Sequence, residues 1–415
     1  MQDRLSRQVV VAGGGIAGLT AALAFARRGF FVRLFEQAQR FEPFGAGLQL
    51  SPNATRILDR LGVLDLLRSK AVRPDAILLR DAASLRVLAR VPLGAAAERR
   101  WHAPYLVAHR ADVHEALVEK AAQDDRIEVV TGARITGDVA FTDSGVTVTC
   151  ERNGQRENVD AGLLIGADGV WSALRAASFP GARCRFSGSL AWRATAETHG
   201  ASGEAFAAMS SPDCVTAFLD PDFHLVAYPV SGGAALNLVA FANGDADAEG
   251  RTGKADLSTL TRAVRHAAPA LSNLLERTAG WTVWPLNTVD QGGPWTRESL
   301  ALIGDAAHAM TPFAAQGAAM AIEDAATLAS FAAASTATKN LPELLREWEQ
   351  SRKARVAKVA RRGALNKLAW NAAGPLAFGR DLLLRLRSPE SLAADLDWLY
   401  GYEAIGSRQS AVDQT

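Results

Sequence analysis

Residues 8–36, QVVVAGGGIAGLTAALAFARRGFFVRLFE, constrain the fold more tightly than any other part of the sequence. The β-branched run at 8–12 predicts a buried strand, and LTAALAFARR predicts a helix stopped by Gly29. FFVRLFE at 30–36 predicts a second strand, so the unit has the length of a parallel βαβ crossover. The turn between strand and helix carries Gly13, Gly15 and Gly18. Gly13 permits the tight turn, Gly15 lets a backbone approach a pyrophosphate, and Gly18 lets the helix pack on the strand. The helix N-terminus presents free N–H groups and the positive end of its dipole to that anion. Glu36 ends the second strand, where its carboxylate suits an adenosine ribose and repels a 2′-phosphate. A dinucleotide, FAD or NAD, is the expected ligand.

Two later stretches bear on which one. LLIGADGVWSALR (163–175) and LALIGDAAHAMTPFAAQGAAMAIEDA (300–325) each run from a strand through Gly and Asp into a helix. An NAD dehydrogenase has no need of a strand–Gly–Asp unit almost three hundred residues after its fingerprint. FAD is longer and needs anchors away from its adenosine end. Between these motifs, residues 181–290 hold strand-like runs such as SLAWRATAET, FHLVAYPV and AALNLVAFA, broken by Gly, Asp and Pro, which predicts a mostly antiparallel sheet. The fold class expected is α/β: a Rossmann-like domain interrupted by a β-rich domain, with C-terminal helices. The boundaries drawn are 1–74, 105–180 and 290–370 for the nucleotide domain, 75–104 and 181–289 for the substrate domain, and 371–415 for helices and tail. LPELLREWEQSRKARVAKVARRGALNKLA (341–369) reads as one long helix whose mixed charges form a solvated face. Residues 374–403 read as short helices and the last ten as a polar, frayed end.

The formal net charge of +1 excludes a polyanion-binding role, so no nucleic-acid partner is expected. Cys150, Cys184 and Cys214 form neither a CxxC pair nor a metal-type cluster, which predicts no metal and a reducing compartment. No secretory signal and no apolar stretch of membrane-spanning length is read, so a cytoplasmic protein without a membrane partner is expected.

GGGIAG with Glu36, GADG and GDAAH, in that order, resemble the single-component FAD-dependent aromatic hydroxylases, the group that includes p-hydroxybenzoate hydroxylase. GAGLQLSPNA (45–54), HRADVHEAL (109–117), TPFAAQGAAMAIEDA and WLYGYEA (398–404) extend the resemblance over nearly the whole chain, toward the branch with salicylate hydroxylase, 3-hydroxybenzoate 6-hydroxylase and 6-hydroxynicotinate 3-monooxygenase. The resemblance implies that Gly13, Gly15, Ala17, Gly18 and Glu36 hold the ADP half of FAD, and that Arg110 contacts its phosphate and ribityl region. It implies that Asp305 binds the ribityl chain or pyrophosphate and that Pro312 shapes its loop. The N–H groups near Gly317 and Ala318 would face the flavin pyrimidine, with Gly47 and Gln49 beside the isoalloxazine. Asp168 reads as a structural residue of its turn, His308 as a loop-packing residue, and Trp192, Trp281, Trp284 and Trp295 as core or wall.

The same resemblance implies the chemistry. NADH or NADPH visits transiently to reduce FAD, O2 reacts with the reduced flavin, and a flavin hydroperoxide hydroxylates an electron-rich ring. The substrate implied is a small phenolic or hydroxylated heteroaromatic molecule bearing a carboxylate, and the protein is a monomer or homodimer. The alternatives are an epoxidase or natural-product hydroxylase on the same scaffold, or a flavin-binding module without turnover. A base near the phenol assists, because a phenolate donates more electron density to the ring, and a histidine suits that task. His224 and Tyr228 in FHLVAYP leave one face of a strand about 13 Å apart, too far for a direct dyad, so they flank a ring instead. The resemblance makes His224 the base or proton relay and Tyr228 a ring contact, against the plain reading of a hydrogen-bonded core histidine. Arg193 and Phe313 are the further substrate-binding candidates. Gln49 and Phe313 stand where the 6-hydroxynicotinate branch has histidines, and Pro312 where the 3-hydroxybenzoate branch has glutamine.

Overall fold

A computed structural model describes residues 5–41, 46–245, 257–290, 292–335 and 340–404, and every count below refers to these. Gly45, the first residue of the GAGLQLSPNA stretch, and the polar end 405–415 lie outside the described residues.

The predicted crossover is present. Strand Gln8–Ala12 pairs in parallel with Phe31–Glu36 through helix Ile16–Ala26, and the chain turns at Gly29 with φ +80°. Val9, Val10 and Val11 are buried, as is nearly all of the helix, because it is covered on both sides. The sheet runs Thr296–Arg297, Leu300–Leu302, Leu163–Gly166, Gln8–Ala12, Phe31–Glu36, Ile127–Thr131, parallel except at the first pair. Register aligns Ala12 with Gly166 and Gly166 with Leu302, so the three glycine-bearing turns leave one edge side by side.

A seven-stranded sheet covers the other half of the chain, in the order Thr282–Val289, Cys184–Glu197, Ala235–Asn243, Phe223–Val230, Cys214–Leu219, Ala76–Asp81, Val87–Pro92. It is antiparallel except where Cys214–Leu219 meets Ala76–Asp81. Its two faces do different work. Trp192, Leu225, Ala227, Leu238 and Ala240 face one core with Phe206, Leu271 and Leu274. Their neighbours Ala191, Val226, Tyr228, Val239 and Phe241 join the core of the nucleotide half. Period-two alternation places His224, Arg193 and Asn237 on that second face. Trp192 and Trp281 belong to the first core, away from it. A short pair, Gly47–Leu50 with Leu106–His109, lies against the second face.

The long helix runs Leu341–Trp370, followed by helices Gly374–Leu386, Pro389–Ala394 and Asp397–Tyr400. One expectation needs correction: the helix is not solvated on its whole charged face. Arg352 is fully buried and Arg355 is nearly so, because both reach carboxylates inside the protein.

Candidate functional site

The glycine turn is shaped by close approach. A Cβ on Gly13, at φ +105°, would stand 2.4 Å from the Ala167 carbonyl oxygen, and one on Gly18 would stand 1.9 Å from the Gly13 oxygen. A Cβ on Gly15 would meet nothing within 4 Å, so open space lies over the turn where a pyrophosphate would approach. Helix Ile16–Ala26 has no side-chain cap, and its first N–H groups remain available to an anion. Glu36 lies at the rim of this space: its carboxylate accepts hydrogen bonds from the Gly14 N–H at 2.7 Å and the Ala38 N–H at 2.8 Å. The other two Gly–Asp turns adjoin it. Gly13 packs on Ala167, and a Cβ on Gly304 would lie 3.2 Å from that of Ala17. Asp305 begins the next helical turn, exposed and with no hydrogen-bond partner among the described residues. Asp168 caps helix Ala173–Ser178 by accepting from the Ala173 and Leu174 N–H groups.

A second group gathers at the Tyr228 end of the second sheet face. The Gly47 N–H donates to Asn237 Oδ1 at 2.7 Å, and a Cβ on Gly47 would stand 2.6 Å from the Tyr228 ring. Gln49 accepts from the Tyr105 hydroxyl at 2.6 Å. Arg110 opens helix Arg110–Ala121 directly after the strand paired to Gly47. Burial lowers the Arg193 pKa, the nearby Arg110 charge lowers it further, and Tyr228 opposes both. Neither guanidinium has a carboxylate within ion-pair distance among the described residues, so this end holds uncompensated positive charge. Tyr228 is buried, which pushes its hydroxyl pKa up and keeps it a donor. Asn237 is fully buried, and its Nδ2 has no partner among the described residues.

The third group centres on His224. Its ring stacks on Phe241 (4.5 Å, 18°) and lies 5.1 Å from Phe313 and 5.2 Å from Trp370. It is 2% exposed, yet neither ring nitrogen has a hydrogen-bond partner among the described residues. Desolvation, then the charge of Lys367, depress its pKa to about 3, so the imidazole is neutral and keeps a lone pair. From pH 6.5 down to about 3 the unfolded chain binds a proton here that the folded chain does not. This position therefore costs stability as pH falls through that window, by up to about 1.4 kcal/mol per unit. His224→Phe is expected to flatten that part of the acid slope, read as urea midpoints at pH 7 and pH 5.

Pro312 starts the turn Pro312–Ala314 that presents Phe313, and Ala315 takes a left-handed φ of +51° before helix Gly317–Ala333. That helix also lacks a side-chain cap, and a Cβ on Gly317 would meet nothing within 4 Å. Its start is held by Gln316, which donates to Ser51 Oγ at 2.9 Å and accepts from Asn53 Nδ2 at 3.2 Å. Asn53 Nδ2 also donates to Glu323 at 2.7 Å, and Arg352 bridges Glu323 and Asp324, both at 2.7 Å. Asp324 in turn accepts from the Gly304 N–H at 3.0 Å and from His308 Nε2 at 2.5 Å. Burial alone would raise the Asp324 pKa, but His308 and Arg352 hold it down to about 2. His308 is thus more than a packing residue: it joins an ion network that fixes the Gly304 turn and the helix start together.

These sites fit FAD in the plainest structural sense. Two uncapped helix starts stand over open space at Gly15 and Gly317, and among the described residues two arginines lack counterions and Asn237 Nδ2 lacks a partner. The FAD binding domain family matches residues 6–363. The chain belongs to the FAD binding domain family. A 3-hydroxybenzoate 6-hydroxylase of Polaromonas naphthalenivorans is 33% identical over 394 residues, covering 95% of this chain and 96% of that protein. A 6-hydroxynicotinate 3-monooxygenase of Bordetella bronchiseptica is 34% identical over 358 residues, covering 85% and 90%. A salicylate hydroxylase solved with substrate superposes with a TM-score of 0.78 at 25% identity, covering 96% of each chain. This FAD binding domain protein is a flavin-dependent monooxygenase, as the α/β fold with its three converging motifs and the named relatives agree.

Sequence reading missed Asn237, Lys367 and the Glu323–Asp324–Arg352 network. Asn237 had a signal: it is the lone polar residue in ALNLVAFA, in phase with the face that carries Tyr228. The network had none, because its members are spread from Asn53 to Arg355. Among the described residues no group could hold a metal ion, and no helix is long and apolar enough to cross a membrane.

Proposed function

We propose that this flavin monooxygenase hydroxylates a small phenolic or hydroxylated heteroaromatic carboxylate, with NAD(P)H and O2 as co-substrates. The observation that carries the reading is His224: a buried, neutral imidazole with no protein hydrogen bond, walled by Phe241, Phe313 and Trp370. With no protein hydrogen bond among the described residues and one edge on a cavity, the ring keeps its polar atoms for a ligand. The two named relatives are a 3-hydroxybenzoate 6-hydroxylase and a 6-hydroxynicotinate 3-monooxygenase, whose hydroxylated aromatic acids match an aromatic lining that carries one imidazole.

In this reading the nucleotide half extends over 1–74, 105–180 and 290–370. Gly13, Gly15, Ala17, Gly18 and Glu36 hold the ADP end of FAD, and Arg110 and Asp305 its phosphate and ribityl parts. Gly47, Gln49, Pro312, Gly317 and Ala318 border its ring. FAD, once bound and reduced, supplies the oxygen-activating chemistry. The chain's own groups do the rest. His224 Nδ1 or Nε2 accepts the hydrogen bond of the substrate hydroxyl and acts as its base or proton relay, a role that requires the bound substrate to lift the low proton affinity that burial and Lys367 impose on the free ring. Tyr228 donates its hydroxyl from the other end of the strand, Arg193 gives that end positive charge, and Phe313 covers the ring and excludes water.

A panel of hydroxybenzoates and hydroxypyridine carboxylates tests this through substrate-stimulated NAD(P)H oxidation with analysis of oxygenated product. His224→Ala is expected to keep its flavin while hydroxylation falls about 10²- to 10⁴-fold. A yellow protein whose NAD(P)H oxidation no aromatic acid accelerates overturns the reading.

A further inference from the structure

We propose that the Lys367 ammonium forms the subsite that receives the carboxylate of the aromatic substrate. The proposal rests on the aromatic-carboxylate reading above and assigns that carboxylate to a cation no motif had marked.

Lys367 lies near the end of helix Leu341–Trp370, where the helix crosses the His224 end of the second sheet. The cavity there is lined by His224, Phe241, Phe313, Ser189, Lys367 and Asn371. The ammonium donates to Ser189 Oγ at 3.1 Å and stands 5.3 Å from the centre of the Phe313 ring. No carboxylate lies within ion-pair distance of it among the described residues. Asp222 lines the same cavity, but its carboxylate pairs with Arg265 at 3.5 Å. A half-buried ammonium held by one hydroxyl and one aromatic face retains donors for an anion. Asn371 lines the same cavity with its Nδ2 donated to the carbonyls of Asp220 and Pro221, and the Ser189 hydroxyl donates to Asn243 Oδ1 at 3.4 Å, so the ammonium is the group there that keeps donors.

This placement divides the two cationic regions. Arg110 follows the strand paired to Gly47, and Arg193, level with Val226 in the sheet register, feels both Arg110 and Tyr228, a placement that suits the phosphates and ring edge of FAD. Lys367 lies beside His224, four residues along the strand from Tyr228, among the aromatic walls. Lys367 takes the carboxylate and His224 the hydroxyl of the bound ring, and because the cavity between them is only about 10 Å³, the side chains that wall it move apart to admit that ring. The charge then has a second consequence. The groups around His224 that carry or can carry charge are Lys367 from the helix and Asp222 from the hairpin turn. The flanking strand, the 312–314 turn and the helix end contribute Phe241, Phe313 and Trp370. When the carboxylate neutralises Lys367, one of the two influences opposing protonation of His224 is lifted. The substrate thereby raises the proton affinity of its own base as it binds.

Lys367→Met and Lys367→Arg in the FAD-loaded enzyme test this, using a stimulating hydroxyaromatic acid and its carboxamide. Lys367→Met is expected to raise Kd and KM for the acid about 10- to 100-fold and leave the carboxamide unchanged. Lys367→Arg is expected to recover most of the loss. In Lys367→Met the acidic limb of the kcat/KM profile should move to higher pH, because the free enzyme's His224 no longer faces a cation. Equal losses for acid and carboxamide, no loss for either, or loss of acid preference in Arg193→Met alone overturn the subsite. These outcomes are distinct from failure of the functional reading, in which no aromatic acid binds or stimulates the unaltered protein.

Discussion

Arg352→Leu is expected to destabilise the protein by about 3–5 kcal/mol and to weaken flavin binding together with it. Arg352 is fully buried and satisfies Glu323 and Asp324, which are both fully buried as well. Removing it leaves two adjacent carboxylates, with Glu323 still held by Arg355 and Asp324 by His308. The displaced Asp324 releases the Gly304 N–H, and Glu323 pulls on Asn53 and Gln316. Both ends of the loop that would border FAD then loosen. Guanidinium unfolding and FAD fluorescence titration measure the two effects. Adding Glu323→Gln and Asp324→Asn is expected to restore much of the stability, since the buried negative charge goes with its partner. If the single and triple variants unfold at the same midpoint, the charge argument fails. The linkage has a sign: with the Asp324 pKa depressed to about 2, its contribution is complete above about pH 4 and declines as pH falls toward 2.

Gly18→Ala and Gly15→Ala are expected to separate folding from cofactor binding. A methyl on Gly18 stands 1.9 Å from the Gly13 oxygen, so the helix must leave the strand end, and both stability and flavin affinity fall. A methyl on Gly15 meets no protein atom within 4 Å, and its φ of −75° is one that alanine adopts. Gly15→Ala should therefore keep the unaltered protein's thermal midpoint while losing FAD affinity by about 100-fold or more, as the methyl stands where the pyrophosphate approaches. Yellow, fully loaded Gly18→Ala protein would count against the close-packing account. An FAD-replete Gly15→Ala protein would count against the pyrophosphate account.

The βαβ unit, the β-rich insertion and the long helix were legible because each rests on local periodicity or on glycine chemistry. His224 and Tyr228 were legible as a pair because strand parity alone puts them on one face. The aromatic wall of His224 was not, since Phe241, Phe313 and Trp370 come from a neighbouring strand, a loop and a helix end. Arg352 and Arg355 misled because a charged helix face reads as solvated unless its distant carboxylates are known. Lys367 was hidden in the same run of basic residues, and only the packing of that helix over the sheet separates it from its exposed neighbours.

The Glu323–Arg355 contact also orders events in time. Arg355 donates to the Trp398 and Leu399 carbonyls as well as to Glu323, and Arg56 reaches the Tyr402 carbonyl. A ribosome releases the glycine turn early, but the residues that brace the Gly304 and Gln316 loop emerge nearly four hundred residues later. The glycine turn therefore waits for Ala167 and Gly304 to pack against it, and the brace of the flavin-ring loop waits longer still, for the helices around Trp398 and Leu399.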